Sequence, residues 1–295
     1  MSLKIPYGKK LPPTLNTWLF NEDKDTSGGA AAIAPALKGG ELGHEVPSVT
    51  VIQCPRAVSV LGHQYADEQS SVADADGALT IGNKRAYELP LEITDIYNCL
   101  QQWFPSPVKL ASRESLSLVG RSSGGGAEQH SDIIFVDDPT LGEAWNIKAP
   151  GGGDVSMVAA VVSGALVAQT QSGFTDICGR TIAFVGGQRA IPNRPDISVN
   201  LLAATLFCGA GYSGVTFRHP SGNRQLSLMA NGGLATVGVS AAVGGTAQRY
   251  DFTKIFGGGL HFMADKPIEM GGFGVGTTAV QALLEMELSG VGVDG

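Results

Sequence analysis

Over residues 154–245 the chain carries few charges and runs in short bursts that end in glycine. The bursts read DVSMVAAVVSGALVAQTQSGF, GRTIAFVGG, ISVNLLAATLFCGAGYSGVTFRH and RQLSLMANGGLATVGVSAAVGG. Small and β-branched side chains fit a pleated, buried surface. Glycine suits the turns between them. Such a stretch can bury sheet faces, but it offers few groups for chemistry. Turn signals at PNRPD, GAGYSG, HPSGN, NGG and GG recur roughly every eight to twelve residues, the rhythm of a sandwich or barrel. The near-continuous run ISVNLLAATLF, with Leu201, Leu202, Leu206 and Phe207, is expected to be covered on both faces.

Composition agrees with a chain built for covered surfaces. Of 295 residues, 41 are glycine and only 16% are charged, well under the usual quarter. Surface of this kind is usually covered by copies or partners. A net charge of −7 argues against a reader of duplex DNA, which needs a basic face. Nucleic-acid contact is left only to a basic tip at Lys4, Lys9 and Lys10. The cysteines, Cys54, Cys99, Cys178 and Cys208, form no CxxC pair and are expected as buried free thiols. No secretory signal and no apolar run long enough to span a bilayer is visible. A reducing, cytoplasmic setting is expected, or a virion if the chain is viral.

In order, residues 1–47 read as an extended N-terminal arm, with Pro6, Pro12 and Pro13 early, an apolar anchor TLNTWLF and a brief helix in AAAIAPALKGG. Residues 48–150 read as a first β-rich domain with one short helix. Two strands flank Pro55. HQYADEQSSVADADG reads as a polar loop, and ALTIG and RAYELPLEI as strands. TDIYNCLQQWF is expected as a helix, because Thr94 can cap it and Ile96, Leu100, Trp103 and Phe104 fall near one face. IIFV is a buried strand, and DDPT a turn in which Asp caps its own backbone. PGGG at 150–153 marks a boundary, and residues 151–295 form a second, Gly-rich β domain. Residues 155–169 lean to strand, PSGN is a hairpin turn, and TTAVQALLEMELSGV is a short helix or a final strand. The fold class is mainly β: a jelly-roll-type sandwich or barrel, or two stacked β-barrels, with an arm and one or two short helices.

Few residues offer chemistry. GRSSGGG, with Ser122, Ser123, His130 and Asp132, has the parts of a serine-nucleophile loop, but the serines precede the glycines and no helix follows. His63, Asp67 and Glu68 could converge on a metal. Asp74 and Asp76 lack the ligands of a calcium loop. Glu285 and Glu287 are too isolated for a glycosidase pair. GGFGVG lacks the third glycine of a dinucleotide site. No catalytic, cofactor-binding or metal residue is assigned, and no cofactor is expected.

In its general character the chain resembles viral capsid proteins of the jelly-roll type, through the Pro-rich arm, the many short strands and the Gly/Ala/Val core. The resemblance implies a structural subunit of a repeating virus or phage shell that self-associates, its partners other copies of itself and other shell proteins. A hydrolase using Ser122 or Ser123 with His130, and a ligand-binding β-sandwich, are the competing readings.

Overall fold

The computed structural model describes residues 9–25, 29, 31–35, 45–48, 50–68, 75–82, 85–91, 99–122, 127–162, 175–178, 191, 194–207, 212–229, 248–274 and 280–290. Strands dominate them, in antiparallel sheets. In the first half they are β1 (Leu15–Asp25), β2 (Ala31–Ile33), β3 (Glu45–Ser48), β4 (Val51–Gln53), β5 (Val58–Glu68), β6 (Ala75–Ile81), β7 (Arg85–Leu91), β8 (Cys99–Leu110), β9 (Ser115–Ser122) and β10 (Ala127–Asp137). After a 3-10 turn at Pro139–Leu141 come β11 (Ile147–Lys148), β12 (Val155–Val162), β13 (Thr175–Asp176), β14 (Ile197–Phe207), β15 (Tyr212–Arg218), β16 (Gln225–Met229), β17 (Gln248–Asp251), α1 (Phe252–Ile255), β18 (Gly259–Met263), β19 (Glu269–Gly274) and β20 (Val280–Gly290).

The same strand order occurs twice. In the first half one sheet runs β1-β10-β5-β8 and the other β3-β4-β9-β6-β7, with β2 also on β9. Counting β2, β3 and β4 together as the second strand, these orders are 1-8-3-6 and 2-7-4-5. In the second half one sheet runs β18-β14-β20-β12, with β17 on β14 and β11 on β18, and the other runs β13-β19-β15-β16. With β17 and β18 as the sixth strand, the orders are again 6-3-8-1 and 2-7-4-5. Each half is therefore an eight-position jelly roll.

The rolls share a layer. In β1 and β10 alternate side chains point to opposite faces, and both faces are buried. Trp18, Phe20, Ile134 and Val136 belong to the first roll's core, with Ile52, Tyr65, Leu79 and Leu118. Leu15, Leu19, Ile133 and Phe135 belong to the second core, with Val199, Phe217, Leu226 and Phe252. The register, Trp18 opposite Ile134 and Leu19 opposite Ile133, keeps each face consistent. IIFV is continuous in sequence because each of its faces meets a different core.

Several expectations are corrected here. Within the expected arm, Leu15–Asp25 is a strand of the shared sheet and Ala31–Ile33 is a strand on β9, not a brief helix. In the expected helix TDIYNCLQQWF, residues 94–98 lie outside the described residues and Cys99–Leu110 is strand β8. Its neighbouring aromatics serve the two faces, Trp103 packing on the second core and Phe104 on the first. Pairing skips from Val60 opposite Val108 to Gly62 opposite Trp103, so Pro105 and Pro107 sit in a bulge, where no ladder donor is lost. HQYADE is the end of β5, not a loop. ISVNLLAATLF is not buried alike on both faces. Ile197, Val199 and Leu201 face the core, then the register shifts between Leu201 and Ala203, and Ala204 and Leu206 take over. On the other face Asn200 and Ala203 are buried and Ser198, Leu202 and Thr205 half-buried, so that face is covered less completely; the side chain of Phe207 lies outside the described ones. The C-terminal segment resolves to strand β20. Among the described residues an α-helix lies instead at Phe252–Ile255, capped by Asp251, whose carboxylate accepts from Lys254 N at 3.3 Å.

Candidate functional site

The first roll's core contains polar groups, and they sit on one face of the shared sheet. Period-2 alternation puts His63 and Tyr65 of β5 on the same side, facing Ile134 and Asp132 of β10 in the ladder. His63 and Asp132 are both 0% exposed. The His63 Nδ1 lies 3.0 Å from each Asp132 carboxylate oxygen. Its Nε2 lies 3.3 Å from Gln102 Oε1 on β8, and its ring stacks near Phe104 at 6.1 Å. Burial alone would push the His63 imidazole down. The Asp132 charge, its hydrogen bond and the Gln102 bond outweigh burial and hold the pKa above its ordinary value.

A second polar pair lies beside the first. Tyr65 Oη and His130 Nδ1 share a 2.9 Å hydrogen bond, and His130 is fully buried. The opposite sheet accommodates this ring with Gly120. A Cβ there would come within 2.9 Å of His130 Nδ1 and 3.2 Å of Ile33 Cδ1.

The residues singled out in the sequence are thus partly regrouped. His130 and Asp132 do share a face, but that face is interior. His130 is a core residue bonded to Tyr65, not the base of a solvent-open loop. Ser122 ends β9, and Ser123 lies outside the described residues. His63 is paired to Asp132, 69 positions away. Asp67 and Glu68 continue β5, and Asp74 lies outside the described residues. Among the described residues no three His, Cys, Asp or Glu side chains are grouped as a metal site. Glu285 pairs with Arg249 at 2.7 Å. Glu287 accepts from Gly151 N at 2.8 Å and Gly152 N at 3.0 Å, tying down the PGGG tract. Lys9 and Lys10 are exposed, and Lys4 lies outside the described residues. Cys54 and Cys178 are buried free thiols; Cys208 lies outside the described residues.

The other concentration of polar groups is the seam between the rolls, which sequence reading missed. Arg224, fully buried, donates through Nη1 to Thr14 O and through Nη2 to Asp138 O, at 3.1 Å, and to Glu143 O. Burial pulls its pKa down, and the Asp138 and Glu143 charges oppose that. The buried Asp138 carboxylate accepts from Arg56 Nε at 2.8 Å and Nη2 at 2.7 Å. It therefore binds Arg56, which precedes β5, and does not cap its own backbone, contrary to the expectation from DDPT. Trp145 Nε1 donates to Leu15 O at 2.9 Å. The signal available in the sequence was an arginine in a turn, HPSGNR, next to a strand without charges.

No protein-family model matches the chain, and no curated protein sequence matches it. Among solved structures it is similar to the major capsid protein P2 from bacteriophage PM2, at 10% identity and a TM-score of 0.24, over 95% of this chain and 99% of that one. It is also similar to the STIV MCP, at 9% identity and a TM-score of 0.27, over 91% and 96% of the two chains. Superpositions this loose carry no inference about function, and the strand order above is read from this chain alone.

Proposed function

We propose that the chain is a structural subunit of a repeating shell, of the virus or phage capsid type, and that it acts by associating with copies of itself. The observation that carries this reading is the repeated jelly-roll order, two rolls fused through one doubly buried sheet. Jelly rolls serve capsids, lectins and cupins alike, and a fold by itself does not select among them. Two features favour the shell. The histidine offered for catalysis is core, which weighs against a hydrolase built on Ser122 or Ser123 with His130. The chain is poor in charge and presents Val155 and Met157, 49% and 55% exposed, on strand β12, a surface suited to burial against copies.

The test is the size of the purified full-length protein, by light scattering and electron microscopy across a range of concentration and salt. A regular, concentration-dependent assembly is expected. A monomer under all conditions would overturn the reading, and hydrolytic activity lost on changing Ser122, Ser123 and His130 to Ala would replace it with the enzyme.

A further inference from the structure

His63 is bracketed by acceptors. The Asp132 carboxylate meets its Nδ1 at 3.0 Å and the Gln102 carbonyl oxygen meets its Nε2 at 3.3 Å. A neutral imidazole has one N–H donor, and only the imidazolium has two. Both partners of the ion pair are fully buried, so loss of the ring proton would leave the Asp132 carboxylate as an uncompensated charge in the core. Three neighbouring strands depend on the contact, because His63 is on β5, Asp132 on β10 and Gln102 on β8. We propose that His63 carries a structural proton whose release at alkaline pH unlocks the first roll.

The surroundings isolate this equilibrium. Among the described side chains the charged or titratable groups on the same face are Asp132 and His130 from β10 and Tyr65, already bonded to His130, from β5; the side chains of Glu128 and Asp67, at the same parity, lie outside the described ones. β1 presents Trp18 and Phe20, and then Glu22, whose carboxylate is held by Ala34 N at 2.7 Å and lies 3.8 Å from Lys24. β8 presents Gln102 and Phe104. The buried core residues of the opposite sheet include Ile33, Leu79, Leu116 and Leu118, all apolar. Among these groups Asp132 is the one that balances the imidazolium directly. The inference concerns the single chain and stands whatever the chain assembles into.

The sign follows from linkage. The folded pKa is raised above the unfolded value of about 6.5. The contribution is fully present below that unfolded value. It is lost as pH rises through the folded value, and in between the opening equilibrium grows by up to about tenfold per pH unit for one proton.

Two readouts on the full-length protein test this. Exchange of the histidine C2 hydrogen, followed by mass spectrometry against pH, reports the protonation of His63 itself. Backbone amide exchange, corrected for its intrinsic pH dependence, reports the opening of β5 and β10 against β14 and β20. The expected result is an imidazolium at His63 above pH 6.5, with protection of β5 and β10 falling as it titrates and that of β14 and β20 following, because β10 lies in both cores. In His63→Gln or Asp132→Asn the alkaline step should vanish. A His63 already neutral at pH 7, protection of β5 that ignores its titration, or an unchanged alkaline step in either variant would each overturn the proposal. If neither variant folds, the two wild-type profiles still decide it.

Discussion

Because β10 is common to both cores, a cavity on either of its faces should weaken the whole molecule. Phe135 and Ile134 are neighbours on that strand, both fully buried. Phe135 points into the second core, its ring 4.8 Å from that of Trp103, and Ile134 into the first. Phe135→Ala removes a large side chain and an aromatic contact, and such truncations cost about 3–5 kcal/mol. Ile134→Ala should cost about 2–5 kcal/mol. At about 2 °C per kcal/mol for a large chain, Phe135→Ala should lower Tm by roughly 6–10 °C. Scanning calorimetry with parallel tryptophan fluorescence reads the result. A single transition that both variants move together is expected, since neither roll keeps a complete core once β10 is loosened. Two transitions, with Phe135→Ala shifting one and Ile134→Ala the other, would refute the shared-layer reasoning. So would a Phe135→Ala protein with the wild-type Tm.

Three further outcomes follow from particular contacts. Deleting residues 1–47 removes β1, with Leu15, Trp18, Leu19 and Phe20 all buried; it should abolish soluble folded protein, and a folded truncation seen by circular dichroism would contradict the role given to β1. Gly214→Ala should destabilise by about 3 kcal/mol in denaturant unfolding, because a Cβ there would collide with Leu228 O and lie 2.6 Å from Phe273 Cζ; Gly153→Ala, with nothing within 4 Å, should stay within about 0.5 kcal/mol of wild type. Burial pushes the Cys54 thiol up to about 11 and the Cys178 thiol up to about 12, so at pH 8 only about a thousandth of Cys54 is thiolate, and peptide-resolved mass spectrometry should find both unalkylated by iodoacetamide until the protein is unfolded.

The β class was legible because it is a local property. Short β-branched bursts and turn residues report themselves, and IIFV, ALTIG, RAYELPL and the PSGN hairpin are all found where the pattern puts them. What failed were inferences that needed a particular partner strand. Trp103 and Phe104 look like a helical stripe because a strand sandwiched between two cores is apolar on both faces. HQYADE looks solvated because the partner of His63 is Asp132, and no local rule joins β5 to β10. The run NLLAATL looks two-faced because a bulge changes which parity faces the core. The candidate site was visible only as residue types: His63, His130 and Asp132 were singled out, but their pairing, and the parts of Tyr65, Gln102 and Gly120, depend on register.

The seam shows how two rolls can become one unit without a continuous sheet. β16 ends its sheet among the described strands, and the unpaired N–H and C=O groups of such an edge invite another chain. Here β1 of the other roll crosses that edge and satisfies it with side chains. Asn16 Oδ1 accepts from Gln225 N at 2.8 Å, and Thr17 Oγ1 accepts from Ser227 N at 2.7 Å and donates to Gln225 O at 3.2 Å. All of β16 is buried as a result. A strand in β1's place would have extended the sheet and fixed the rolls edge to edge. Side-chain bonding lets β1 keep its own backbone ladder with β10 while still closing the edge of β16. Arg224, just before β16, completes the junction by gathering three carbonyls from residues 14, 138 and 143. These backbone groups lose their partners if either roll departs, and a buried unpaired group costs about 1–3 kcal/mol. The polar seam therefore adds to the apolar layer beside it in opposing separation of the rolls, and it ties the order of β16 to that of β1.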